Sequence, residues 1–192
     1  MALQFRPNLP KIAELLLYLA HKKPGADKYQ AVKFFYLADR EHLNRFGRPI
    51  TSDEYYALQY GPVASNAKDL LEQDKWALMD AGMKELPFQV DMEARRGPDK
   101  VELLIIGEPK RAVDMEIFSR SDLRVFDEIL EKYGDYDFDA LYNLTHNHMA
   151  YKRAWLNRGS AMRAYMPYDD MISSPTKRES ILSDIGPVAA HL

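Results

Sequence analysis

The chain contains no cysteine, so disulfides, thiolate metal sites and cysteine nucleophiles are excluded. No window approaches the roughly 18 consecutive apolar residues that a membrane-spanning helix requires. The apolar run at residues 15–20 follows Glu14, is amphipathic and lacks the layout of a signal peptide. Also missing are a phosphate-binding glycine loop, a dinucleotide-binding glycine pattern, a nucleophile elbow and a zinc motif. The formal net charge of -3 gives no overall excess of positive charge, and no basic recognition helix is evident, so nucleic acid is not an expected partner. These absences lead us to expect a cytoplasmic protein without metal, cofactor or membrane attachment.

What is present suits one domain: 192 residues, 46% of them hydrophobic, are enough to bury a sizeable core. Charge is segregated along the chain. Residues 1–50 carry nine Lys/Arg against four Asp/Glu, whereas residues 114–139 carry nine Asp/Glu against three Lys/Arg. Such a division either steers an oppositely charged partner or cancels when folding brings the segments together.

The densest signal lies in residues 33–65. Phe34, Phe35, Tyr36, Leu37 and Ala38 leave little room for a solvated face, which predicts a central helix packed on several sides. Asp27 suits its start and Gly47 a left-handed stop. Asp39 and His42 are spaced i, i+3, so an acid–imidazole pair is expected, fixing this helix against Tyr55 or Tyr60. Pro49 leads out of the helix, and residues 55–60 fit either a short helix or a strand. Gly61-Pro62 then imposes a sharp redirection, after which Ser65 caps a helix through Leu71 and towards Trp76.

Elsewhere the periods are clearer. Asn8 caps a helix whose face is Ile12, Leu15, Leu16 and Leu19, with Lys11, Glu14 and Lys22 towards water and an end before Pro24-Gly25. Alternation over residues 87–107, around a turn at 95–99, predicts a β-hairpin, with residues 55–60 as a candidate third strand. Ser119 or Ser121 opens a helix carrying Leu123, Phe126, Ile129, Leu130 and Tyr133. Asp135, Asp137 and Asp139 alternate like the start of a calcium loop but lack its central glycine and later glutamate. His146 and His148, at i, i+2, diverge on a helix and make a poor chelate. The expected fold is α+β: a predominantly helical single domain over residues 1–172 with a small antiparallel sheet. Residues 173–192 form a tail, suited to disorder or to ordering on a partner.

These residues carry a family resemblance. The segment from Phe35 through His42 and Leu43, then Gly47-Arg48-Pro49-Ile50-Thr51, Ala57 and Tyr60-Gly61-Pro62-Val63, resembles the Panacea, or SocA-like, antitoxin domain of bacterial and phage genomes. Downstream, Phe118-Ser119, Leu141, Leu144-Thr145-His146 and Ala154-Trp155 resemble that family's C-terminal helices. The resemblance implies a cytoplasmic protein of a toxin–antitoxin system that neutralises a cognate toxin by direct contact. A variant on this theme, known in one member, delivers the toxin to a protease. No catalytic residues are implied.

From the residues themselves, the partner-binding candidates are Arg48, the outward members of Tyr55, Tyr56 and Tyr60, and Arg153, Arg158 and Arg163, because Tyr and Arg bury large areas while keeping polar handles. Asp39, His42, Gly47, Pro49, Gly61, Pro62, Thr145, His146 and Trp155 are expected to be structural, the last three as a joint with the central helix. Two rival readings stand beside these. One is an enzyme using Asp39, His42 and His146. The other uses Lys152, Arg153, Arg158 and Arg163 with Tyr151, Trp155 and Tyr165 as a stacking surface for single-stranded nucleic acid, or sets those cations against the acidic segment within the fold.

Overall fold

The computed structural model of the chain describes residues 3–94, 102–185 and 189. Helix α1 (Leu9–Lys22) opens as its sequence dictates, with Lys11 N donating to Asn8 Oδ1 at 3.1 Å and Pro10 in the first turn. Residues 12–20 are all buried, Glu14 included. Helical spacing places Glu14 towards water, and the structure corrects this: its carboxylate is ion-paired with Arg111 and accepts from Asp114 N at 2.9 Å. A buried acid needs such partners.

Helix α2 (Lys28–Phe46) is the central helix. Asp27 and Gln30 form a reciprocal capping box at its start. It ends at Gly47, whose φ of 78° is left-handed and where a Cβ would come within 2.6 Å of Ile185 Cδ1. Phe34, Phe35 and Tyr36 are fully buried, as is Lys33.

Strand β1 (Tyr55–Leu58) and strand β2 (Gly61–Ala64) form a hairpin, so residues 55–60 begin as strand. Helix α3 (Ser65–Leu71) then stops well short of Trp76. Gln73 takes a left-handed φ of 55°, Asp74 caps the separate helix α4 (Lys75–Asp80), and Trp76 is 69% exposed. Strands β3 (Phe88–Ala94) and β4 (Glu102–Pro109) are the expected hairpin, and the predicted turn at 95–99 lies outside the described residues.

After a 3-10 turn at Met115–Ile117 come α5 (Arg120–Tyr133), α6 (Phe138–His146) and α7 (Met149–Leu156). The short strand β5 (Ala164–Tyr165), α8 (Tyr168–Met171) and α9 (Pro175–Asp184) follow. The result is an α+β fold, mainly helical, with two small antiparallel sheets, β2-β1-β5 and β3-β4.

Residues 55–60 are therefore not the third strand of the β3–β4 hairpin. Both edges of β1 are taken, one by β2 and the other by β5. The β3–β4 hairpin is instead tied to the α1–α2 connection, where Gly25 N donates to Ile106 O and Ile106 N to Ala26 O, each at 2.8 Å. That satisfies backbone groups which would otherwise be an open edge.

One apolar cluster runs through all these layers, from Leu3 to Ala189. Residues of α9 join it: Ile181 and Leu182 pack against the core, and Lys177 Nζ donates to Asn44 O at 3.3 Å.

Candidate functional site

Two buried carboxylates organise the polar interior. Asp39, on α2, accepts from Ile50 N at 2.8 Å, Thr51 N at 2.9 Å, Thr51 Oγ1 and Tyr55 Oη at 2.9 Å. Every lone pair facing the protein has a donor, so a charge-bearing group sits in the core without being stranded. Burial raises the Asp39 carboxyl above the usual range, although Thr51 and Tyr55 oppose the shift. Ile50 and Thr51, directly after Pro49, present their N–H groups to this carboxylate on α2. Nearby, Asp53 caps α3 across the loop, accepting from Asn66 N and Ala67 N at 2.9 Å each.

The second carboxylate is Asp122, which the sequence reading did not single out. It closes the Ser119 capping box at the start of α5 and also takes Lys11 Nζ at 2.7 Å and Arg48 Nη2 at 2.9 Å. Burial alone would raise Asp122, but hydrogen bonds from His42 and Lys11 and from Ser119 N outweigh it and hold the carboxyl well below its ordinary range. The sequence signal was the Ser-x-x-Asp spacing; the cations that converge on it come from distant elements.

His42 belongs to this second cluster and not to Asp39. Its Nδ1 donates to Arg48 O at 2.7 Å, and Nε2 lies 3.0 Å from Ser121 Oγ and 3.2 Å from Asp122 Oδ1. The expected Asp39–His42 pair is thus corrected: the two side chains are one helical turn apart, and nearer partners fill both. Asp39, on its side, does hold α2 against Tyr55.

The joint formed by α6 and α7 packs on the central helix, as expected, and also on the β1–β2 hairpin. His146 stacks on Tyr142 with centroids 3.6 Å apart, and its Nε2 faces Gln59 O at 3.2 Å, in the β1–β2 turn. Burial lowers its pKa more than its two backbone carbonyl partners raise it. Tyr151 Oη donates to Leu58 O at 2.9 Å. Thr145 donates back to Leu141 O and would lie 3.0 Å from a Cβ built on Gly61. This joint therefore meets the β1–β2 hairpin as well as α2, and His148 adds a further tie to the central helix, 3.2 Å from Tyr36 Oη. Asp39, His42 and His146 share no partner, and Asp39 and His42 are fully buried.

The candidate contact residues sort by exposure. Tyr55 is fully buried between Tyr36 and Tyr168, which corrects its place among surface tyrosines, since β1 alternates and Tyr55 takes an inward position. Tyr60 is 55% exposed in the hairpin turn. Tyr56 faces outward opposite Tyr165 on β5, with rings 5.7 Å apart, and Arg163 lies 4.6 Å over the Tyr56 ring. Trp155 stacks on Tyr151 one turn earlier, and Arg158 covers the indole at 3.7 Å. Arg153 pairs with Asp170 at 2.8 Å, and Arg48 is drawn to Asp122.

None of the cations in residues 151–163 pairs with the acidic segment among the described residues. That segment meets the N-terminal cations instead: Lys22 with Asp127, Lys23 with Asp135 and Arg45 with Glu128. Asp137, in the run that alternates like a calcium loop, caps α6 through Ala140 N.

The model of the family described as "Antitoxin SocA-like, Panacea domain" matches residues 32–152, from the second turn of α2 into α7. The chain belongs to this family. No curated protein and no solved structure matches it. Asp39 and Asp122, the β1–β2 hairpin and the α6 joint fall inside the Panacea segment, whereas Lys11 reaches Asp122 from outside it. Helix α1, strand β5 and helices α8 and α9 lie outside it, so Arg158, Arg163 and Tyr165 reach the Panacea surface from flanking chain.

Proposed function

We propose that this antitoxin-like protein neutralises a cognate protein toxin by direct contact, acting in the cytoplasm as a binding protein and not as a catalyst. The observation that carries the reading is a pair of arginine–aromatic clusters at the surface of a protein of an antitoxin-like family. Arg158 covers the half-buried Trp155, and Arg163 lies over Tyr56, whose ring meets Tyr165; between the two clusters the buried Tyr151 stacks on Trp155 and donates to Leu58 O on β1. Leu156 and Met162, 80% and 86% exposed, flank them in sequence. Rigid aromatic rings with stacked guanidinium groups are what protein–protein hot spots are made of, and exposed apolar side chains of this size favour a partner.

The test is growth rescue. The product of the neighbouring gene is expressed in a bacterium with and without this protein, and the pair is co-purified. Rescue with a stable complex, both lost in Arg158→Glu/Arg163→Glu while the circular dichroism spectrum is unchanged, supports sequestration by these clusters. Rescue that survives the double substitution removes these clusters from the reading. Rescue with disappearance of the toxin and no stable complex turns the reading to delivery of the toxin to a protease.

A further inference from the structure

A second feature has nothing to do with the arginine–aromatic clusters. Between the start of α2, the β1–β2 hairpin, β4 and the start of α6 lies a cavity of about 590 Å³. That volume is within the range of sites for small ligands, roughly 300–1,000 Å³. Its wall is apolar and aromatic, with Leu58, Val63, Leu104 and Phe138 among its residues. Tyr29 and Phe138 line it in mutual contact, with tilted rings whose centroids are 4.5 Å apart, and Tyr60 stands against Phe138.

Two residues of this lining carry under-partnered polar groups. Tyr29 Oη is buried and has no hydrogen-bond partner among the described residues. Lys33 is fully buried, and its ammonium, with three N–H groups to place, has one acceptor there, Pro62 O at 2.7 Å, besides the face of the Tyr29 ring at 4.6 Å. Buried donors of this kind are almost always satisfied in proteins. The other charges at the cavity are already matched. Lys28 and Lys68 both pair with Glu72, and Asp27 caps α2.

Gly61 is shaped to the same arrangement. Its φ is +100°, and a Cβ there would come within 3.0 Å of Lys33 Nζ. The Gly-Pro turn therefore does more than redirect the chain: Gly61 leaves the space in which the ammonium lies, and Pro62 supplies its acceptor.

We propose that this cavity is a binding site for a small monocarboxylate with an apolar or aromatic body, the carboxylate accepting from Lys33 Nζ and Tyr29 Oη and the body packing on Phe138, Tyr60 and Leu104. A carboxylate supplies the charge and the acceptors that the two donors lack, and the largely apolar wall strengthens that pair. Burial lowers the Lys33 pKa to about 7, so a bound anion draws a proton onto the amine and binding takes up protons above neutral pH. The inference is independent of toxin binding and is tested on the chain alone.

The probes are phenylacetate, indole-3-acetate and octanoate, each set against its neutral amide, titrated at millimolar concentrations into the purified chain and followed by NMR and thermal shift. At least one acid is expected to saturate and to bind on the order of 10- to 100-fold more tightly than its amide. Lys33→Met keeps length and apolar bulk and should abolish that preference; Tyr29→Phe, which removes one oxygen only, should weaken it while leaving the fold intact. Failure of all three acids to bind, equal binding of acid and amide, or an unchanged preference in both variants would overturn the proposal.

Discussion

At the scale of single residues, the structure turns on two buried ionisable side chains, Asp122 and Lys33, and on Gly61 beside the second. Asp122 accepts from Lys11, Arg48 and Ser119 N and faces His42. Removing one partner of a buried ionic cluster leaves the others uncompensated, so Asp122→Ala is expected to cost about 3–5 kcal/mol in urea unfolding. An effect below 1 kcal/mol, the range of a solvated surface pair, would show that the cluster is worth no more than that. Gly61→Ala combines a left-handed φ with contacts of 3.0 Å to Lys33 Nζ and Thr145 Oγ1, and a cost of about 1–3 kcal/mol is expected from backbone strain alone.

Lys33 makes a pH prediction whose sign is fixed. Its folded pKa, about 7, lies below its ordinary 10.5 because burial disfavours the charged form. Between those values the unfolded chain holds the extra proton, so stability rises as pH increases from about 7 towards 10 and the penalty is constant below 7. Unfolding free energies measured across this window should climb in the native chain and climb less in Lys33→Met. The tyrosines limit the window from above, since burial raises Tyr29, Tyr55 and Tyr168, and ionisation of the unfolded chain opposes folding beyond their ordinary value.

Among the elements, the β3–β4 hairpin depends on where it docks. A two-stranded hairpin is marginal in water, and this one is held by the backbone bonds of Ile106 to Gly25 and Ala26 and by the full burial of its side chain. Ile106→Ala should cost about 2–5 kcal/mol and expose the Gly25 and Ile106 amides to hydrogen exchange before those of α2. Exchange of both regions together would mean that the hairpin is part of the same cooperative unit.

Elements were also where the sequence was most legible. Helices α1, α2 and α5 announce themselves by Asn8, by Asp27 with Gly47, and by Ser119, because a cap is a local bond between residues a few positions apart. Strand β1 stayed ambiguous because Thr51-Ser52-Asp53-Glu54 has the spacing of a cap. In fact Asp53 caps α3, beyond the hairpin, a service that no local pattern reveals. Of the candidate contacts, Tyr56 and Tyr60 were readable as surface, whereas Tyr55 differs from Tyr56 only in the phase of a strand not yet known to be one.

On the scale of the whole molecule, segregated charge and one apolar cluster decide the behaviour. The positive N-terminal segment folds onto the acidic α5 region through pairs from Lys11 to Arg48, and most of these are solvent-exposed. Exposed pairs contribute about 0–1 kcal/mol each and are screened by salt, so raising ionic strength should lower stability only slightly. The cluster spans α1 to the C-terminal residues without a break, which predicts a single cooperative transition. Far-ultraviolet dichroism and tryptophan fluorescence should coincide; separate midpoints would mean that α9 or the β3–β4 hairpin unfolds alone.

Composition and local pattern by themselves settled the fold class, the main helices and the β-hairpin, because capping, periodicity and turn chemistry act over a few residues, while the family came from the resemblance of its motifs. Tertiary structure alone decided that His42 serves Asp122 and not Asp39, that Glu14 is buried on Arg111, and that Lys33 and Tyr29 share a cavity wall. The physical reason is that a buried polar group takes whichever partner the packed chain brings within hydrogen-bond reach, and for these residues that choice is made by elements far apart in sequence.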